Sequence, residues 1–277
     1  MRLVGAIPGR VVRWLLVAII GLVMTQSAIC AEVADDPWPD LRDSLFGDRP
    51  IQDGVGVIGL DAPNRAQDAA LVPVSMVAQM PQRGDRFIKA ITLIVDKNPA
   101  PVAAVFGLSP ANGSATISTN IRVDEYTYVR AIAETNDGAL YMAAKFVKAS
   151  GGCSAPAVKT DELAMSQLGK IELKQPTPMS YGEPNQVQLL ISHPNHSGLQ
   201  MDQLTRNFTP ARYVRDIEVT LDGRTILTME GGISLSEDPS IQFSMVPDAP
   251  GQISVSVSDS DDTKFSAKWP TPRPAGL

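Results

Sequence analysis

Cysteine and histidine are both scarce in this chain. Of 277 residues, two are cysteine, Cys30 and Cys153, and two are histidine, His193 and His196. Two cysteines cannot form a disulfide-rich scaffold. The histidines sit three apart in "SHPNHSG", with Pro194 between them to exclude helical geometry, and a metal site needs more ligands than they supply. No metal and no bound cofactor are therefore expected. Aromatic residues make up 5%, so a core has to come from the plentiful Val, Ile and Leu. Basic residues number 24 against 30 acidic, a formal charge of −6, which gives no general attraction for nucleic acid or anionic membrane. No solenoid repeat is present. The longest apolar run, "WLLVAIIGLVM", falls well short of the roughly twenty residues that cross a bilayer.

That run identifies the first segment. Arg2, Arg10 and Arg13 precede it and "TQSAIC" follows, the pattern of a secretory leader over residues 1–30. Cleavage after Cys30 puts Ala28 and Cys30 at the small-residue positions. Lipidation of Cys30 is the rival reading, with bulky Ile29 against it. The mature chain is then exported, periplasmic, more acidic by three charges, and left with Cys153 as its one thiol. Roughly 250 residues suit two domains.

After a short proline-flanked helix around Leu41, Leu45 and Phe46, β signals dominate. "FIKAITLIVD" is stopped by "KNPAP", and "PVAAVFGLS" and "ATISTNIRV" follow as strands. "YTYVRAIAE" and "ALYMAAKFVKA" flank the hairpin turn "TNDG". A capped short helix in "TDELAMSQLGK" separates this block from a second one. There "NQVQLLISH", "SIQFSMV" and "QISVSVSDSDDTKFSAKW" supply strands. "VRDIEVTLDGRTILTME" reads as a hairpin; a three-residue loop at 222–224 pairs Val219 with Leu227 and Ile217 with Met229, which aligns both apolar faces. The acidic runs "DSDD" and "SEDPS" lack calcium-loop spacing and read as turns. The fold class is all-β: two immunoglobulin-like sandwiches, 31–150 and 169–270, joined by a flexible cysteine-bearing linker at 151–168 and followed by a disordered tail at 271–277.

Cys153 lies in that linker, in "VKASGGCSAPAVK". Exported cysteines normally pair, so a solitary one suggests intermolecular pairing or a reactive thiol. Gly151 and Gly152 give the backbone freedom and leave the sulfur unshielded, so the thiol is expected to be exposed on a mobile segment. A Cys153–His193 nucleophile–base pair would need a rigid nucleophile, which a glycine-flanked residue is not. No catalytic residue is assigned.

The residues resemble a family at this point. "LVPVSMVAQ", "IKAITLIVDKNPAPVAAVFGLSP", "ISTNIRV" and "ALYMAAKFVKASGGC" are similar to the Y subunit of the SoxYZ sulfur carrier. "LISHPNHSG", "PARYVRDIEVTLDGRTIL", "GGISLSEDPSIQFSM" and "ISVSVSDSDD" are similar to its Z subunit. The succession in one chain looks like the fused carriers associated with quinoprotein dehydrogenases. The resemblance implies that Cys153 holds a covalent sulfur intermediate, that Gly151 and Gly152 form the hinge of its arm, and that the partners are periplasmic redox enzymes, among them a quinoprotein dehydrogenase and c-type cytochromes. It departs from the family where Ser154, Ala155 and Pro156 replace a chain end, which tethers the arm on both sides. Two functions stay open: a non-enzymatic sulfur carrier, and an adaptor for a quinoprotein dehydrogenase in which Cys153 is dispensable.

Overall fold

The computed structural model describes residues 36–202 and 205–272. The expected leader, with Cys30, lies outside the described residues. The chain divides into two compact units, Met1–Ser44 and Leu45–Leu277. The described part of the first forms most of helix α1 (Trp38–Phe46), which carries no buried residue.

The second unit is built almost wholly of strands. The SoxY-like half contributes β1 (Ile51–Asp53), β2 (Ile58–Asp61), β3 (Val72–Ala78), β4 (Ile88–Val95), β5 (Val102–Gly107), β6 (Ile117–Ile121), β7 (Thr127–Thr135) and β8 (Leu140–Val147). Helix α2 (Asp161–Ser166) follows, with the Thr160 hydroxyl accepting from Leu163 N–H as its cap. The SoxZ-like half adds β9 (Ile171–Lys174), β10 (Asn185–Ile191), β11 (Val214–Leu221), β12 (Arg224–Gly231), β13 (Ser240–Met245), β14 (Gln252–Asp259) and β15 (Lys264–Pro270). Alternation drives the outer strands: on β14, Ile253, Val255 and Val257 face inward while the serines between them face out. The middle strand β4 is instead covered on both faces, and Ile91, Leu93, Ile94 and Val95 are all buried.

The two halves share their sheets. One nine-stranded sheet runs β1-β8-β7-β4-β5-β12-β11-β14-β15, and a six-stranded sheet runs β2-β3-β6-β13-β10-β9. The seam in the larger sheet is the antiparallel pair β5–β12, with Phe106 opposite Met229 and Gly107 opposite Thr228. In the smaller sheet it is β6–β13, through Ser118 and Gln242. A single apolar core fills the space between the sheets and crosses the seam, from Met76, Ile91 and Phe106 to Leu189, Val219 and Phe243. Two halves that each resemble a sandwich therefore make one continuous double layer. Edge-to-edge pairing satisfies backbone groups that a separate sandwich would leave open.

The β11–β12 hairpin corrects its expected loop. Val219 does face Leu227 and Ile217 does face Met229, but Thr220 pairs with Thr225 and Leu221 with Arg224. The turn is thus the two residues Asp222 and Gly223, both at positive φ (49° and 82°), the twist-matched form for a hairpin. A β-bulge takes up the extra residue, Ile226, and lets both Ile226 and Leu227 be buried. The tail also differs at its start: Thr271 is buried, and its hydroxyl accepts from Gly251 N–H at 2.9 Å. Residues 273–277 lie outside the described residues.

Candidate functional site

Past β8 the chain stays against the body. Lys148 bridges Arg65, and Ala149 is buried. Gly151 N–H then donates to the Asp124 carbonyl at 2.7 Å and Gly152 N–H to the Val123 carbonyl at 3.0 Å. Both glycines are required by this docking. Gly151 has φ +78°, and a Cβ on Gly152 would sit 2.1 Å from the Ala69 carbonyl oxygen. The flexibility inferred from glycine is, in this state, close approach.

Cys153 follows, and it is fully buried. The exposed thiol expected on a mobile junction is not observed: the small residues around the cysteine let the segment lie down on the protein. Cys153 N–H donates to Asp124 Oδ1 at 3.3 Å, and its carbonyl accepts from the Ser197 hydroxyl. Gln200 Nε2 donates to the Ala155 carbonyl at 3.0 Å, and Arg122 Nη1 to the Gly152 carbonyl at 3.2 Å. Farther along, the Glu237 carboxylate receives the N–H groups of Val158 (2.8 Å) and Lys159 (3.3 Å). The arm carbonyls at 152, 153 and 155 are thus each held by a side chain, two of them from the SoxZ-like half.

Burial governs the thiol. Loss of solvent, seconded by the Asp124 carboxylate and opposed by the Arg122 guanidinium, pushes the Cys153 pKa from 9.0 up to about 12. In the docked arm the sulfur is a neutral, unreactive thiol. Arg122 is itself buried, and desolvation lowers its pKa. Its Nη2 donates to the Asn195 carbonyl at 3.3 Å, and its Nε has no partner. An arginine at the end of "ISTNIR" reads as a solvated strand end, so no signal in the sequence marks it. Asp124, Ser197, Gln200 and Glu237 are equally silent there, because their role depends on where the arm lies.

His193 falls beside this site, and His196 Nδ1 lies 3.2 Å from Oε1 of Gln200, the side chain that holds the Ala155 carbonyl. His193 is buried; its Nδ1 accepts from Asn195 N–H at 3.0 Å, and its Nε2 stands 3.5 Å from Asp259 Oδ2. Burial lowers its pKa, against the pull of Asp259. His193 thus braces the loop that carries Asn195 and Ser197, and the charges acting on Cys153 are those of Asp124 and Arg122. Among the described residues no three His, Cys, Asp or Glu side chains cluster as metal ligands. The "DSDD" run does form a hairpin tip, in which Asp259 accepts from the N–H groups of Asp261 and Thr263 and from Arg212. "SEDPS" forms a turn, whose Glu237 anchors the arm.

Comparison with known proteins finds two family models in succession along the chain. Residues 42–153 match the family model for the sulfur oxidation protein SoxY, which ends on Cys153 itself. Residues 173–270 match that for the sulphur oxidation protein SoxZ. No curated protein matches the chain. Among solved structures, two forms of the superoxide reductase (neelaredoxin) of Ignicoccus hospitalis share 15% and 16% identity, with TM-scores of 0.30 and 0.31. They cover 34% and 40% of this chain and 82% and 90% of their own. Fibronectin(III)-like modules of CbhA from Clostridium thermocellum share 13% identity with a TM-score of 0.23, over 80% of this chain and 96% of theirs. These structural likenesses are too slight to carry an argument. Among the described residues no helix is long and apolar enough to cross a membrane. With a SoxY domain followed by a SoxZ domain over most of its length, the chain belongs to the SoxYZ-like sulfur-oxidation carriers as a fusion of the two subunits.

Proposed function

We propose that this chain is an exported, non-enzymatic carrier that binds a sulfur intermediate covalently at Cys153 and presents it to periplasmic redox enzymes. The observation that supports the reading is the SoxY match that runs to Cys153, the one cysteine among the described residues. Because the docked thiol is fully buried, which counts against a standing exposed carrier, carriage requires the arm to lift first. Gly151 and Gly152 are the hinge on which it lifts. Lifting returns the thiol to water, where its pKa falls toward the ordinary range and the thiolate becomes a nucleophile. With thiosulfate as cargo, one S–S bond forms between Cys153 Sγ and the outer sulfur, the thiol proton leaves to solvent, and two electrons pass to the partner enzyme or a c-type cytochrome. Docking then shelters the adduct. Because Ser154, Ala155 and Pro156 continue the chain, the arm meets its partners as a loop. The leader at 1–30 directs export to the periplasm, and the resemblance to the fused group makes a quinoprotein dehydrogenase a candidate partner.

The inert docked thiol favours a second reading, an adaptor for that dehydrogenase in which Cys153 is dispensable. Substitution Cys153→Ser separates the two, since serine keeps the shape and removes the sulfur. A carrier loses thiosulfate- or sulfide-dependent activity completely in a reconstituted or whole-cell assay. Full retention of activity would establish the adaptor.

A further inference from the structure

Both histidines of the chain stand where the arm is held. His196 Nδ1 lies beside Gln200 Oε1, and His193 lies at the root of two separate routes to the arm. Along the first, its Nδ1 accepts from Asn195 N–H. The Asn195 carbonyl then takes Arg122 Nη2, and two residues on Ser197 holds the Cys153 carbonyl. Along the second, His193 N–H donates to Asp238 Oδ1 at 3.1 Å, and its carbonyl accepts from Asp238 N–H at 2.9 Å. Asp238 Oδ2 pairs in turn with Lys159 Nζ of the arm, at 2.6 Å. The first route depends on one protonation state. A ring nitrogen that accepts a hydrogen bond carries no proton, so Nδ1 is bare and the neutral imidazole keeps its proton on Nε2. An imidazolium carries protons on both nitrogens, which sets Nδ1–H against Asn195 N–H.

We infer that His193 is an acid-operated latch for the arm: a proton on Nδ1 breaks its bond to Asn195, loosens the loop at 193–197 and frees Cys153. This rests on the lifting arm of the carrier reading, and it holds whatever the arm carries. The charged groups around the ring do not offset the added proton. Asp259 Oδ2 stands 3.5 Å from Nε2 but is already taken by Arg212 Nε and Nη2, and Arg212 also meets Asp261. Asp238 is engaged by Lys159, and Arg122 brings a further positive charge to Asn195. Burial then keeps the His193 pKa below its ordinary 6.5. With the docked ring the harder to protonate, docking is complete above 6.5 and weakens as pH falls below it. The thiol's own titration acts on the alkaline side and contributes nothing in this range.

A dipyridyl disulfide tests this on the full mature chain, because it reacts with thiols in acid as well as at neutrality. The exchange forms a disulfide at Cys153 Sγ and releases pyridinethione, with no external oxidant. Rates are read from about pH 8 down to about pH 5, each divided by that of the denaturant-unfolded chain, so that the reagent's own pH dependence cancels. The relative rate of the native protein should rise about ten-fold across that range, while the amides of β7 and β14 stay protected from hydrogen exchange. In His193→Asn the amide oxygen takes the place of Nδ1 and accepts from Asn195 without titrating, so protection at neutral pH should remain and the rise should vanish. His196→Asn should keep the rise. A flat profile in the unsubstituted protein would overturn the inference, as would a rise that survives His193→Asn or is abolished by His196→Asn. A rise that comes only as the β7 and β14 amides lose protection overturns it too. If His193→Asn fails to fold, hydrogen exchange at the Asn195 amide of the unsubstituted protein decides. That amide should lose protection with the same midpoint as the thiol, and protection that outlasts thiol exposure counts against the latch. The reagent reads access to the thiol alone, so a negative result is distinct from a failure to find sulfur on the native protein.

Discussion

At Gly152 a methyl group would meet the Ala69 carbonyl oxygen at 2.1 Å, and backbone cannot step aside as a flexible side chain could. Gly152→Ala should therefore lift the arm and cost about 2 kcal/mol in denaturant unfolding, with a matching rise in thiol reactivity. Gly151→Ala meets only the strain of φ +78°, for about 1 kcal/mol, since its Cβ would make no more than an ordinary contact with Ser154 Oγ at 4.0 Å. Cys153 makes a prediction with a defined sign. Its docked pKa is raised, so docking is fully effective below the undocked value near 9.0 and weakens as pH rises toward about 12. Native protein at pH 7–8 should react with a thiol reagent about ten-fold or more slowly than unfolded protein, and the gap should close across that alkaline window. A gap that stays constant with pH would contradict the burial mechanism. The sequence shows that Cys153 follows two glycines; it cannot show whether those glycines serve freedom or close approach, because Ala69 and Val123 are distant in the chain.

Strands and turns were the most legible level. The β7–β8 hairpin sits where "TNDG" puts it, with Glu134 opposite Leu140 and Thr127 opposite Val147. Period-two patterning and turn residues are local, and they specify such elements without help. The β11–β12 hairpin shows the limit. Its apolar register is readable from Val219 and Leu227, but a longer loop and a two-residue turn with a bulge satisfy that register equally. The choice falls to Asp222 and Gly223, which tolerate positive φ. The bulge buries two successive residues, so Ile226→Ala and Leu227→Ala should each cost about 2–4 kcal/mol. Simple alternation predicts that only one of the pair is costly, and denaturant titration of the two variants distinguishes these outcomes.

For the whole molecule, the seam decides behaviour. Sheets that run through β5–β12 and β6–β13, over a shared core, couple the SoxY-like and SoxZ-like halves. Calorimetry should find one cooperative transition with equal calorimetric and van't Hoff enthalpies, where independently stable halves would give two. That coupling was illegible in the sequence, since each half reads as a complete sandwich and no residue announces an edge partner. It also builds the site: the arm belongs to the SoxY-like half, and Ser197, Gln200 and Glu237, which help to hold it, come from the SoxZ-like half.

The central claim is that Cys153 carries sulfur, and mass measures it directly. Protein purified from its native compartment during growth on thiosulfate should show, without reductant, added mass corresponding to one or more sulfur atoms or a thiosulfate-derived group. Peptide mapping should place that mass on Cys153, and a reductant should remove it. A free Cys153 thiol throughout, even after thiosulfate or sulfide is supplied with an oxidant and partner enzymes, would contradict the account.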